Sequence, residues 1–158
     1  MVRFIVPFLC ASLLVAACGK SNSGSTSSGS LSATIGSASF QSTTTFGAYS
    51  AGINLLAVIS NSEHPNDTSA IQIAMPWPPP INKAFPADTL LSLSYIAKGT
   101  EYDAYSTEGQ LQLTVTSLDS LGHKIAGTFS ATGHSLLSYN DSLVITNGKF
   151  STSYNVNP

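Results

Sequence analysis

"QLQLTVT", residues 110–116, sets Leu111, Leu113 and Val115 against Gln110, Gln112, Thr114 and Thr116 in strict alternation. Successive side chains of an extended chain point to opposite faces, so the pattern predicts a strand with one buried and one wet face. The same pattern recurs outward in both directions. Towards the C-terminus, Lys124 to Ala131 puts Ile125, Gly127, Phe129 and Ala131 on one face. Towards the N-terminus, Leu91, Leu93 and Tyr95 form one set, and Ile71, Ile73 and Met75 form another within Ser69 to Met75. Ile53 to Ile59 is more continuously apolar, which suits a central strand or a short buried helix; its β-branched residues and its Gly52 start favour the strand.

Breaks are expected at Gly47, His64 to Asp67, Pro76 to Pro80, Lys98-Gly99, Glu108-Gly109, Gly122, Gly133 and Asn147-Gly148. Short alternating runs between turns this frequent predict an all-β domain, an antiparallel β-sandwich or a small β-barrel. Asn147-Gly148 reads in two ways. It is either a tight hairpin turn or a bulge within one long final strand, Leu143 to Tyr154; a bulge would bring Ile145 and Phe150 into one core despite their odd separation.

Composition points to export. Of 158 residues only 9% are charged, and the net charge is −2, so polarity comes from Ser, Thr and amides. Six Lys and Arg dispersed along the chain make no basic stripe, which excludes a nucleic-acid partner.

The head, MVRFIVPFLCASLLVAAC, has a positive Arg3, an apolar run from Phe4 to Val15 and small Ala16-Ala17, the three-part layout of a secretory signal. A spanning helix needs about 20 apolar residues; this run is shorter, holds Pro7 and ends in Gly19-Lys20. Val15-Ala16-Ala17-Cys18 resembles the lipobox of bacterial lipoproteins. That resemblance implies a signal peptide over 1–17, cleavage before Cys18, a diacylglycerol on its thiol and an acylated amine. A thiol is soft and nucleophilic enough to form the thioether. Each buried methylene contributes about 0.8 kcal/mol, and one fatty chain holds only marginally where two or three hold firmly. Cys10 would be lost with the head, leaving Cys18 as the only thiol and no intramolecular disulfide. Gly19 to Ser30 is Gly/Ser-rich and reads as a flexible tether, so 18–30 is assigned as lipidated Cys plus linker and 31–158 as a single β domain.

GQLQLTVTSLD, KIAGTFSATG and SLVITNGKFSTSY are similar to the C-terminal part of a family of uncharacterised β-rich lipoproteins from Bacteroidota. Its early hairpin is matched by Ala33-Thr34-Ile35-Gly36 with Phe40, its G-T-F-S strand by Gly127-Thr128-Phe129-Ser130, and its closing strand by Gly148-Lys149-Phe150. The resemblance implies export and a β-rich fold, with no catalytic residue to carry over. Physically, Gly127 avoids a side chain where strands approach closely, and Phe129 fills the core.

Candidate chemistry is sparse. His64 lies in Glu63-His64-Pro65-Asn66-Asp67, a solvated turn rather than a rigid metal site. His123 and His134 each adjoin a glycine and are expected in exposed loops. No G-x-S-x-G elbow is present, and Glu101 to Tyr105 reads as an edge strand whose charges block sheet association. No enzyme activity, cofactor or metal is expected. Trp77, the only Trp, sits in Met75-Pro76-Trp77-Pro78-Pro79-Pro80 and is either a plug over an open end or a partner contact. Thr89, Ser120 and Ser142 follow aspartates in tripeptides that resemble O-glycosylation sites of Bacteroidota exported proteins; each also suits a turn that opens a strand. The expected function is that of a lipid-anchored envelope lipoprotein acting as a non-enzymatic binding or structural module. Its partners would be the membrane, through the N-terminal lipid, and a protein or glycan. The alternative is a lipocalin-like barrel carrying a small apolar ligand. The expected address is the cell envelope, at the outer membrane, on either its periplasmic or its surface face.

Overall fold

The computed structural model describes residues 29–63, 68–86, 88–138 and 140–157. Among them are nine strands, one 3-10 turn (Ser106–Glu108) and no α-helix. The strands are β1 Gly29–Ile35, β2 Ala38–Ser50, β3 Leu55–Asn61, β4 Ala70–Pro76, β5 Ser92–Ala97, β6 Thr100–Tyr105, β7 Leu111–Asp119, β8 Lys124–Ser135 and β9 Ser142–Asn157. All belong to one sheet in the order β1-β9-β2-β3-β4-β5-β6-β8-β7, and a β8–β9 pairing closes it into a barrel-like ring. The all-β expectation holds. β1 begins at Gly29, so the ordered domain takes in the last two residues assigned to the linker.

One pairing departs from the antiparallel pattern. β1 pairs antiparallel with both β2 and β9, which makes those two parallel to each other. Beyond the start of β1 they close directly, Gly47–Ser50 against Tyr154–Asn157. Gly47 is therefore no break: a Cβ there would lie 2.7 Å from that of Tyr154. Gly133 is likewise inside β8, paired with Leu143 and packed against Tyr102. In both places the missing side chain admits a neighbouring strand.

The alternating residues form the interior. Leu111, Leu113, Val115, Ile125, Phe129, Ile71, Ile73, Met75 and Leu93 are all buried, in one cluster with Leu31, Leu56, Val58, Ile145 and Phe150. β9 runs unbroken through Asn147, whose φ is 54°. Ile145 and Gly148 face Ala131 and Phe129 of β8, so three steps on β9 match two on β8. Of the two readings of Asn147-Gly148, the bulge is what forms, and Ile145 and Phe150 are both buried. A similar shift between Val115 and Ser117 turns Leu118 back against the core.

Two cross-strand pairs lock β8 to β9. Gly127 stands opposite Phe150, and Phe129 opposite Gly148. Each ring covers the glycine it faces: Cβ atoms on Gly127 and Gly148 would lie 2.7 and 2.6 Å from ring carbons of Phe150 and Phe129. Buried hydroxyls link the seam between β3, β2 and β9. Thr152 Oγ1 donates to the Thr45 carbonyl at 2.8 Å, and Thr45 Oγ1 meets Ser60 Oγ at 2.9 Å. Among the described residues no buried side-chain nitrogen or oxygen lacks a partner.

Register divides the turns between two ends. One end gathers the start of β1, the β2–β3 turn, the segment after β4, the β7–β8 turn and the end of β9. The other gathers the β1–β2 and β5–β6 turns and the β8–β9 connection.

Candidate functional site

The end at which β1 starts is capped by aromatic side chains. Pro76 closes β4, and the Trp77 N–H donates to the Asn54 carbonyl of the β2–β3 turn at 2.9 Å. The indole is half-buried, with its centroid 4.8 Å from Tyr49 and 5.2 Å from Tyr154. The Tyr49 hydroxyl donates to Asn54 Oδ1 at 3.2 Å. His123, exposed in the β7–β8 turn at φ 51°, also stacks on Tyr154, with ring centroids 5.3 Å apart. Burial, then the nearby Asp119 carboxylate, push the Tyr154 phenol upward. Trp77 thus packs against the core as a plug, and its remaining surface faces outward.

A cleft of about 270 Å³ lies towards the other end, between β6, β8 and the 3-10 turn. Asp103, Tyr105, Glu108, Gln110, His134 and Ser135 line it, and Leu136 and Leu137 form an apolar lip. Ser94 Oγ donates to Asp103 Oδ1 at 2.5 Å and the Tyr105 hydroxyl to Asp103 Oδ2 at 3.3 Å. Gln110 Nε2 donates to Glu108 Oε2 at 2.8 Å. Burial first, then the Asp103 charge, push Tyr105 up to about 12. Burial and Asp103 also raise Glu101, against the lowering effect of a Ser94 hydrogen bond. An acid-lined cleft with an aliphatic lip suits a cationic or hydrogen-bond-donating group with an apolar flank.

Two expectations are corrected here. His134 is half-buried within β8, across from Asp103, and not in an exposed loop. β6 is not an edge: Tyr102 and Asp103 pair with Ser135 and His134, and the Leu136 N–H donates to the Glu101 carbonyl. The charges of β6 therefore line a cleft. Ser135, 6% exposed, accepts the Leu137 N–H on its Oγ at 3.2 Å, which fixes the turn.

The other singled-out residues stay apart. Thr89 is half-buried in the segment before β5, where its carbonyl accepts Ser106 Oγ at 2.6 Å. Ser120 is exposed in the β7–β8 turn, where Asp119 Oδ1 accepts the N–H groups of Leu121 and Gly122. Ser142, exposed, opens β9 opposite His134. Cys18 and His64 lie outside the described residues. Among the described residues no group of three His, Cys, Asp or Glu could hold a metal ion, and no helix is long and apolar enough to cross a membrane.

No family model, curated protein or solved structure matches the chain. Sequence reading missed the joining of Tyr49, His123 and Tyr154 around Trp77, because residues this far apart meet only through strand register. It also missed the Leu136-Leu137 lip, whose signal was a pair of aliphatics next to Ser138 with no alternating partner.

Proposed function

We propose that the chain is an envelope lipoprotein, held to the membrane through acylated Cys18, whose β domain is a non-enzymatic binding or structural module. The observation that carries this reading is Val15-Ala16-Ala17-Cys18 at the close of an apolar head, followed by a Gly/Ser segment that leads straight into β1 at Gly29. Two or three acyl chains at Cys18 would make the attachment effectively permanent. The binding role rests on the cleft beside Asp103, Tyr105 and Glu108, which lies towards the end away from the attachment and is open to a protein or glycan. The buried Phe129 and Phe150 rings, which lie against Gly148 and Gly127 within one continuous apolar cluster, support this over an apolar-ligand carrier.

The test is metabolic labelling with an alkynyl fatty acid in a bacterial host that matures lipoproteins. The wild-type chain is expected to take label and fractionate with membranes, and Cys18→Ala to lose both. Label-free wild-type protein, or a mature chain that keeps residues 1–17, would overturn the reading.

A further inference from the structure

The end of the ring at which β1 starts carries more than the aromatic plug. Ile53 in the β2–β3 turn, Leu121 in the β7–β8 turn and Val156 near the end of β9 are 67, 97 and 47% exposed. Backbone hydrogen bonds gather these segments into one surface. The Ala51 N–H donates to the Asn157 carbonyl at 3.0 Å, Trp77 N–H to Asn54 at 2.9 Å, and Tyr154 N–H to His123 at 2.8 Å. Three aliphatic side chains therefore project around the Tyr49–Trp77–Tyr154 cluster. Charge is thin there: Asp119 is turned onto the backbone of its own turn, and Lys124 stands beside it.

Chain length says what covers this surface. Only residues 19–28 separate Cys18 from β1. A Gly/Ser segment of that length has a mean reach on the order of 20 Å. β9, with 16 residues, spans roughly 50 Å at the usual strand rise. Ser30 pairs with Ser151, six residues from the end of β9 and nine from its start, and Ser151 pairs with Ala126, two residues into β8. The attachment point therefore lies nearer this end, and a short tether favours it over the Leu137 end as the one that faces the bilayer. Aliphatic loop tips ringed by Trp and Tyr match the headgroup boundary, where amphipathic aromatic rings partition favourably.

We infer that Ile53, Leu121 and Val156, set around Trp77, form a lipid-contacting face on which the domain rests against the membrane that anchors it. This rests on the acylation of Cys18 proposed above, and the experiment separates the two. The full chain carrying Leu121→Cys is matured in bacteria, purified from membranes, and checked by mass for fatty acyl groups. The new thiol is labelled with an environment-sensitive nitrobenzoxadiazole dye, and the protein is reconstituted into phosphatidylethanolamine–phosphatidylglycerol vesicles with or without nitroxide-bearing lipid. Leu137→Cys, at a position 86% exposed on the other end, is the control. The expected result is blue-shifted emission from the Leu121 probe, quenched by nitroxide lipid, and water-like unquenched emission from the Leu137 probe. Changing Ile53 and Val156 together to Ser should weaken the quenching while the protein stays with the vesicles. An unacylated mature chain would overturn the anchor and this face with it. An acylated chain whose Leu121 probe emits as in water would overturn the face alone. Blue emission that nitroxide lipid does not quench would put a second protein copy on the face, and would also overturn it.

Discussion

Gly148 shows how much a single hydrogen atom in place of a side chain decides here. The Phe129 ring lies over it and is itself buried, packed in the apolar cluster. Gly148→Ala should therefore destabilise the fold by about 1–3 kcal/mol, the usual cost of overfilling a packed core. Gly52 is the control, because a Cβ there meets nothing within 4 Å. Gly52→Ala should be neutral or stabilising by up to about 1 kcal/mol through its effect on the unfolded chain. Urea midpoints of the two variants compare the cases directly, and equal midpoints would remove the role given to the Gly–Phe pairs. Glu101 makes a second residue-level case. Its pKa is raised by burial and by Asp103, so the fold favours its neutral form. Its contribution is thus favourable at acid pH and is lost as pH rises through the folded pKa. Glu101→Gln is expected to melt above wild type at pH 7 and with it below the carboxylate range. Tyr105 acts in the same sense at the alkaline end: stability should fall between pH 10 and the value of about 12 to which the phenol is raised, and Tyr105→Phe should lessen that fall.

At the scale of elements, β9 brings Ile145 and Phe150, an odd separation apart, into one core only because its extra residue is taken up in a bulge. Ile145 reaches the core from one side of the bulge, and Phe150, Thr152 and Tyr154 reach it from the other. Deleting Asn147 would match two residues of β9 to two of β8 and leave Ile145 and Phe150 an even separation apart, so that both still face the interior. The shortened chain is expected to keep a cooperative melt. Asn147→Gly, which keeps the residue count at a position with φ of 54°, should melt within a few degrees of wild type. Thermal circular dichroism of both variants tests the bulge, and a deletion that fails to fold would show that the bend at the bulge, and not the residue count alone, holds β9 in place. Elements of this kind were legible in the sequence wherever burial alternates: β4, β5, β7 and β8 stand where Ile71, Leu93, Leu113 and Ile125 put them. Gly47 and Gly133 misled because a glycine that admits a neighbouring strand looks, in one dimension, like a glycine that ends a strand. The misplacement of His134 followed from the second of these, and with it the cleft beside Asp103 was lost.

At the scale of the whole molecule, the ring closes through partners that the local pattern does not mark. β6 meets β8 over two residue pairs, and β9 meets β2 in parallel beyond the start of β1. Alternation names a strand's faces but leaves its neighbours open, which is why the sequence admits sandwich and barrel equally. Closure has an energetic consequence. Apart from β7, which pairs only with β8 and meets Ile81 in a single bridge, no strand can leave without breaking hydrogen bonds to two neighbours, and the single apolar cluster runs through β1 to β9 with no disulfide among the described residues to hold a part together. Unfolding should then be one transition. Trp77 reports the end near the tether, because its contacts to Tyr49 and Tyr154 join β2, the segment after β4, and β9. Far-UV circular dichroism reports the strands as a whole. In urea the two signals are expected to share one midpoint, with or without reductant. If Trp77 fluorescence changed at clearly lower urea, the aromatic end would be opening by itself, and the parallel β2–β9 contact would be too weak to close the ring.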